Sequence, residues 1–313
     1  MTAPIDPAKF KDPRITAKGD ARAHIEFKSL KTLWFNTGSL CNIECANCYI
    51  LSSPTADHFV YLSPDDMAPY LDEVDEIADG PIEIAFTGGE PYMNPDILRL
   101  SEMALEREHS LLILTNAMKP LMRPRVQDGV TALNKRFPGK MTLRVSLDHF
   151  SAKGHDAERG NGSFAIALTG MNWLTQNGIS LHIAGRAMFS EDDATARAGY
   201  AALIADEGWD IDALDPSQLI LFPEMDETVD VPEITTQCWD ILGVNPDAMM
   251  CASSRMVVRR RGGARPSVLA CTLLWDDDKF ETGKTLTESL NPVALNHPHC
   301  AKFCVLGGAS CSA

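Results

Sequence analysis

Three cysteines fall close together in the stretch LCNIECANCYI, residues 40–50: Cys41, Cys45 and Cys48. A zinc knuckle reaches four ligands through paired Cys-x2-Cys units. Here the spacing is Cys-x3-Cys-x2-Cys, and no fourth Cys or His follows in the same loop. A redox dithiol needs only two thiols. Three thiolates on one loop suit a four-iron cluster whose fourth iron is left open for a ligand that itself needs electrons. The triplet alone favours iron–sulfur and leaves zinc open. A second short stretch, FTGGEP at 86–91, offers Gly88 and Gly89. Without a Cβ, their backbone groups can approach a small ammonium group, and Glu90 supplies an anionic acceptor. Five more cysteines cluster late, at Cys251, Cys271, Cys300, Cys304 and Cys311. Cys238 stands alone on a probable helix and reads as core.

Both early motifs must be positioned by regular elements, and the sequence supplies a repeating order. LKTLWFN (30–36) reads as a strand. SPDDMAPYLDEVDEIADG (63–80) has a Ser cap, an acidic first turn and a closing Gly, so it reads as a helix. IEIAFTGGE, LLILTN, MTLRVSLD, ISLHIAG and SQLILFP read as further strands. Helices are predicted between them over 94–108, 124–137, 163–178 and 191–208. Six apolar strands separated by helices imply a mostly parallel sheet covered by helices. The pattern fits a partial barrel and a doubly wound sheet equally. In barrels, chemistry sits on loops after strand C-termini. The cysteine triplet follows the first strand and TGGE ends the second, so both belong at one rim.

The 313 residues allow a large core, and 45% apolar with 23% charged residues is a globular composition. Lys and Arg number 28 against 43 Asp and Glu, a net charge of −15. That argues against nucleic acid or an anionic membrane as partner. The N-terminus lacks the apolar core of a signal peptide, and the longest apolar runs are strand-length, so the expected location is cytoplasmic. In a reducing compartment the nine cysteines are not expected to form disulfides. Residues 1–27 read as a loosely packed N-terminal extension, 28–233 as the strand–helix core, and 234–313 as a Cys-rich unit held by metal.

The cysteine loop, with Tyr49 directly after Cys48, resembles the signature of the radical S-adenosylmethionine (radical SAM) superfamily, and TGGE resembles that family's glycine-rich motif. The resemblance covers roughly residues 31–223. It implies a partial (β/α)6 TIM-like barrel with a small C-terminal Cys-rich domain. It also implies a [4Fe–4S] cluster on Cys41, Cys45 and Cys48, with SAM on the open iron. One-electron reduction then yields methionine and a 5′-deoxyadenosyl radical, the protein's task being to position and shield. SAM contacts are implied for Tyr49, Gly88, Gly89, Glu90 and for Asn116, Ser146, Asp148 and Arg159 at or after later strand ends. Ile183 to Gly185 would flank the adenine, and Arg186 would point into the site or pair with surface acids.

The late cysteines look like the SPASM/twitch extension of the superfamily, which carries auxiliary iron–sulfur clusters. RMVV and SVLA, joined by a Gly-Gly turn, read as a β-hairpin. Cys251 and Cys271 bracket it, with further ligands from Cys300, Cys304 and Cys311. The position of Gly263 departs from the family's hairpin pattern, and too few cysteines remain for two clusters. One auxiliary cluster, a [4Fe–4S] that draws its ligands from these five cysteines, is expected, with zinc as rival. The arginines at 255, 259, 260, 261 and 265 read as a solvated hairpin face. His297 and His299 flank Cys300 as supporting partners. The implied activity is a radical SAM oxidoreductase that oxidises or crosslinks a peptide or small metabolite, served by an electron donor such as flavodoxin or ferredoxin. The alternative is an iron–sulfur electron carrier or zinc-stabilised binding protein without SAM chemistry; TGGE argues against it.

Overall fold

The computed structural model of the protein describes residues 4–187, 191–223 and 226–308. After a short strand β1 (His24–Ile25), the elements run β2 (Thr32–Asn36), α1 (Pro64–Ile77), β3 (Glu83–Thr87), α2 (Ile97–Glu106), β4 (Ser110–Thr115), α3 (Pro124–Arg136) and β5 (Met141–Ser146). They continue with α4 (Ala152–Arg159), α5 (Ser163–Gln176), β6 (Ser180–Ala187), α6 (Asp193–Glu207) and β7 (Leu219–Pro223). The C-terminal part adds α7 (Cys238–Leu242), β8 (Ser254–Val258), β9 (Ser267–Leu269), β10 (Glu281–Gly283) and β11 (Val293–Ala294). Local chemistry accounts for several boundaries. Ser63 and Asp66 form a capping box at the start of α1. Asp192 caps α6, which ends at Gly208 in the left-handed region.

Strands β2 to β7 lie side by side in sequence order, all parallel. A doubly wound sheet reverses its order at a switch point; an uninterrupted order is what a barrel requires. The strand–helix pattern fitted both arrangements and the family resemblance implied the barrel; the strand order bears out the partial barrel. Side chains alternate across it. Phe35, Phe86 and Ile113 face the helices in the main core. Trp34, Ala85 and Leu112 face the other way, into a second apolar cluster.

That second cluster crosses the boundary between the core and the Cys-rich unit. β8 pairs in parallel with β2, setting Met256 beside Trp34, and β9 folds back antiparallel with Leu269 beside Met256. The predicted hairpin is present, and its strands extend the barrel's own sheet. One apolar row thus runs Leu269, Met256, Trp34, Ala85, Leu112 beneath the rim. Among the described residues, no helix is long and apolar enough to cross a membrane.

The N-terminal segment is packed more tightly than its Pro- and Lys-rich sequence implies. Ala23 and Ile25 are buried, and β1 pairs with β11. The Arg22 guanidinium, also buried, pairs with Glu233, whose carboxylate accepts further bonds from the Phe10 and Ala17 amides. Burial tends to raise the Glu233 carboxyl, but these amides and Arg22 outweigh it and hold it below the usual range. Removing one member of such a pair strands the other, a cost of about 3–5 kcal/mol. Arg22→Met is therefore expected to release residues 4–21, read as much faster limited tryptic cleavage at Lys9 and Lys11 with the barrel intact; unchanged cleavage would refute this anchor.

Candidate active site and a second cysteine cluster

The loop that carries the three cysteines is fixed by backbone bonds at both flanks. The Ser39 amide donates to the Phe59 carbonyl (3.1 Å) and the Cys41 amide to the Ser53 carbonyl (3.0 Å). Behind it stands the glycine turn. The Gly89 amide donates to the Gly38 carbonyl (2.8 Å), and the Glu90 amide to the Leu40 carbonyl (3.1 Å). A Cβ on Gly89 would sit 2.2 Å from the Leu40 oxygen, and one on Gly88 would sit 2.5 Å from the Gly38 oxygen. Gly88 also has φ of 142°, a region that side chains disfavour. The two glycines, expected only to admit a ligand, also let the two loops pack backbone against backbone.

A cavity opens at the C-terminal rim of the strands. Cys41, Cys45, Cys48, Tyr49, Gly88, Gly89, Asn116, Ser146, Asp148 and Arg159 all line it, so most of the predicted residues meet at one place. Two do not. The Glu90 carboxylate is fully engaged behind the wall, accepting from the Tyr92 amide (3.1 Å), the Thr115 hydroxyl (2.9 Å) and the Asn116 amide (2.8 Å). It braces the ends of β3 and β4, where the sequence reading made it a ligand acceptor. Ile183 is packed in the main core on the helix-facing side of β6, because alternation turns it away; its neighbours Ala184, Gly185 and Arg186 line the cavity. The sequence reading also missed Phe222, at the end of β7, whose ring lies 6.0 Å from that of Tyr49. An aromatic just before the proline that ends a barrel strand was the available signal.

Charge is concentrated on one wall. Asp148, 2% exposed, accepts from Arg159 Nε at 2.6 Å and Nη2 at 3.1 Å, and from Arg186 Nε at 3.2 Å. Burial would push its carboxyl up, but the Arg159 charge and hydrogen bond, then Arg186, outweigh burial and hold it below the ordinary range. Arg186 also donates to the Asn47 carbonyl and lies over the Tyr49 ring, 4.8 Å from its centroid. Asp148 lies between the two guanidiniums, and Glu90 behind the wall is a further buried acid that faces Cys41 and Arg159. Burial pushes the Cys41 thiol up to about 12 and raises Cys45, with Arg159 opposing it there. Cys41 and Cys45, whose thiols resist ionisation, share this cavity with Cys48 and the two arginines, a set that fits a group supplying positive charge to thiolates and an anionic ligand to guanidiniums.

The C-terminal part builds a second sulfur-lined space. Cys251, Cys271, Cys300 and Cys304 line a small void whose other walls include Met250, Leu274 and Phe280. Cys300 and Cys304 sit on one π-helical turn, Cys300–Val305, which presents both to the void. No disulfide joins the described cysteines. Cys311 lies outside the described residues. The two sites are connected by packing. Phe303 stacks on Phe222 (5.4 Å, 26°), and Phe222 contacts Tyr49; Trp275 Nε1 donates to the Tyr49 carbonyl at 2.6 Å.

Two outcomes follow from this geometry. Gly89→Ala must separate the two loops, at a cost of about 1–3 kcal/mol or more. It should lower both thermal stability and iron uptake at the triplet, whereas Gly139→Ala, with open space around it, should leave iron uptake unchanged. Asp148 has a lowered pKa in the fold, so its stabilising pairing is fully present above its unfolded value near 4 and fades only as pH falls through the folded one. Stability should then be flat in pH with respect to this group from 6 to 8. Asp148→Asn should remove the pairing across that range, as measured by denaturation at each pH.

The comparisons with known proteins agree with this architecture. Residues 35–194 match the sequence profile of the Radical SAM superfamily. The subtilosin biosynthesis protein AlbA of Bacillus subtilis is 30% identical over 146 residues, 46% of this chain and 30% of AlbA. The mycofactocin maturase MftC of Mycobacterium tuberculosis is 28% identical over 170 residues, 52% of this chain and 41% of MftC. The matches therefore span less than half the length of these relatives. Among solved structures, Streptococcus suis SuiB bound to S-adenosylmethionine superposes with a TM-score of 0.59 at 12% identity, covering 82% of this chain and 63% of that one. Native anSMEcpe with bound AdoMet gives 0.59 at 16% identity, covering 85% and 81%. At such identities the superpositions show the fold, a radical SAM partial barrel, while the profile match spans the cysteine loop, the glycine turn and the strands that carry them. The chain belongs to the Radical SAM superfamily.

Proposed function

We propose that this protein is a radical SAM oxidoreductase that abstracts hydrogen from a peptide or small metabolite and oxidises or crosslinks it with the help of one auxiliary iron–sulfur cluster. Superfamily membership implies SAM and a [4Fe–4S] cluster. The observation that carries the finer reading is the pair of sulfur-lined spaces joined through Tyr49, Phe222 and Phe303. Cys41, Cys45 and Cys48 would hold the first cluster. Bound there, cluster and SAM supply reductive cleavage of SAM and a hydrogen-abstracting 5′-deoxyadenosyl radical.

The chain's own residues do the remaining work. Asp148 fixes Arg159 and Arg186 as donors toward an anionic group of the cosubstrate. Asn116, held by its amide on Glu90, keeps its side chain between Asn42 and Cys41. Tyr49, Leu114 and Phe222 give the cavity apolar walls that exclude water. Cys251, Cys271, Cys300 and Cys304, with or without Cys311, would hold the auxiliary cluster. Peptide substrates gain support from AlbA, named for bacteriocin biosynthesis, and from a SuiB structure with its precursor peptide SuiA. Small-metabolite substrates gain it from a 30% identical stretch in an AdoMet-dependent heme synthase of Methanosarcina barkeri. A flavodoxin or ferredoxin would deliver the electron.

Anaerobically reconstituted protein given dithionite and SAM should release 5′-deoxyadenosine. The Cys41, Cys45 and Cys48→Ala variant should release none, and about four irons should remain of about eight. Cys251→Ala with Cys271→Ala should keep some SAM cleavage. No cleavage by protein holding all its iron would overturn the reading, and zinc in place of the second four irons would overturn its auxiliary half.

A further inference from the structure

The arginines of the C-terminal hairpin read from sequence as a solvated face, and Arg255 departs from that reading. It lies on β8 and is 1% exposed. Its Nε donates to the Ser289 carbonyl (2.8 Å), and its Nη1 donates to the Cys251 and Ser254 carbonyls (2.7 Å each). Its plane rests over Phe27, 4.7 Å from the ring centre. Nη2 has no hydrogen-bond partner among the described residues. The other buried arginines considered above meet carboxylates: Arg22 pairs with Glu233, and Arg159 and Arg186 pair with Asp148. Among the described residues no carboxylate pairs with Arg255; the ionisable group that faces it is the Cys251 thiol.

A guanidinium stays protonated in proteins, and an isolated buried charge is costly unless something of opposite sign answers it. Carbonyl oxygens take up its Nε and Nη1 donors without cancelling its charge. The place to look for the missing negative charge is the adjoining void, where four cysteines converge between apolar walls. An iron–sulfur cluster with its thiolates is a net anion, and one-electron reduction adds one more negative charge. A cation fixed nearby in a dry setting stabilises the reduced form more than the oxidised one.

We propose that Arg255 is the charge-compensating residue of the C-terminal cluster: a buried guanidinium unmatched by carboxylate and held on the carbonyl of the ligand Cys251, it raises the reduction potential of the iron–sulfur group bound there. This rests on the auxiliary-cluster reading above. The step concerned is a bare electron transfer; one electron enters from the reductant, and no bond is made or broken.

The test is a redox titration, followed by electron paramagnetic resonance, of the full chain with Cys41, Cys45 and Cys48 replaced by alanine, so that only the C-terminal cluster titrates. Arg255→Met should make reduction at least ten-fold less favourable, a fall of about 59 mV for a one-electron couple. Arg255→Lys, which keeps the charge, should stay close to the parent. A Met variant that holds its iron and titrates at the parent's potential overturns the proposal, as does an equal shift in Met and Lys. Should the Met variant fail to take up iron, the Lys variant decides: uptake at the parent's potential supports charge compensation, and failure of Lys as well overturns it. Absence of iron in the alanine parent removes the auxiliary cluster itself, an outcome distinct from an unmoved potential.

Discussion

The close approach of two backbones, residues 38–40 against Gly88 and Gly89, governs the geometry of the rim. The amides of Gly89 and Glu90 bond to the carbonyls of Gly38 and Leu40, leaving no room for a side chain between them. This contact ties the loop after β2 to the end of β3. Glu90 then reaches across to the end of β4 through Thr115 and Asn116. Three strand ends are thereby locked together, and the cysteine loop inherits its position from them. Asp148 plays the matching part on the far wall, joining β5, α4 and β6 through Arg159 and Arg186. A ligand held at this rim meets polar groups whose orientation is fixed before it arrives, which is how binding energy is saved for chemistry.

The Cys-rich C-terminal part leans on the same frame. β8 continues the barrel's sheet beside β2, and the apolar row from Leu269 to Leu112 runs under both sulfur-lined spaces. Phe222 and Phe303 then close the distance above that row. The N-terminal segment completes the unit, with Arg22 seated on Glu233 and β1 on β11. The N-terminal segment and the late part of the chain therefore share one apolar cluster, against which Cys251, Cys300 and Cys304 pack.

Much of this was legible in the residues. The triplet at 41–48, the glycine pair and the strand–helix alternation each carry local signals, since spacing, missing Cβ atoms and caps are properties of short segments. What escaped sequence reading is set by direction and distance. Whether Ile183 or Ala184 faces the cavity depends on which face of β6 looks inward, and a run of apolar residues hides that alternation. Glu90 has the right charge for a ligand contact, yet the Tyr92 amide two residues on and the Thr115 and Asn116 donors at the end of β4 occupy it. Arg255 sits in a basic stretch that reads as surface; Phe27 and the loop carrying Ser289, distant in sequence, cover it. The strand–helix pattern by itself left barrel and doubly wound sheet open; the resemblance of the cysteine and glycine motifs pointed to the barrel, and the strand order bears it out.

The central claim is that Cys41, Cys45 and Cys48 hold a cluster with an iron free to take SAM. Low-temperature electron paramagnetic resonance of the reduced, reconstituted full chain, recorded with and without SAM, tests it most directly. The account predicts that SAM reshapes the spectrum of the cluster held by the triplet while leaving that of the C-terminal cluster unchanged. Spectra that are identical with and without SAM, in protein shown to hold iron at the triplet, would contradict it.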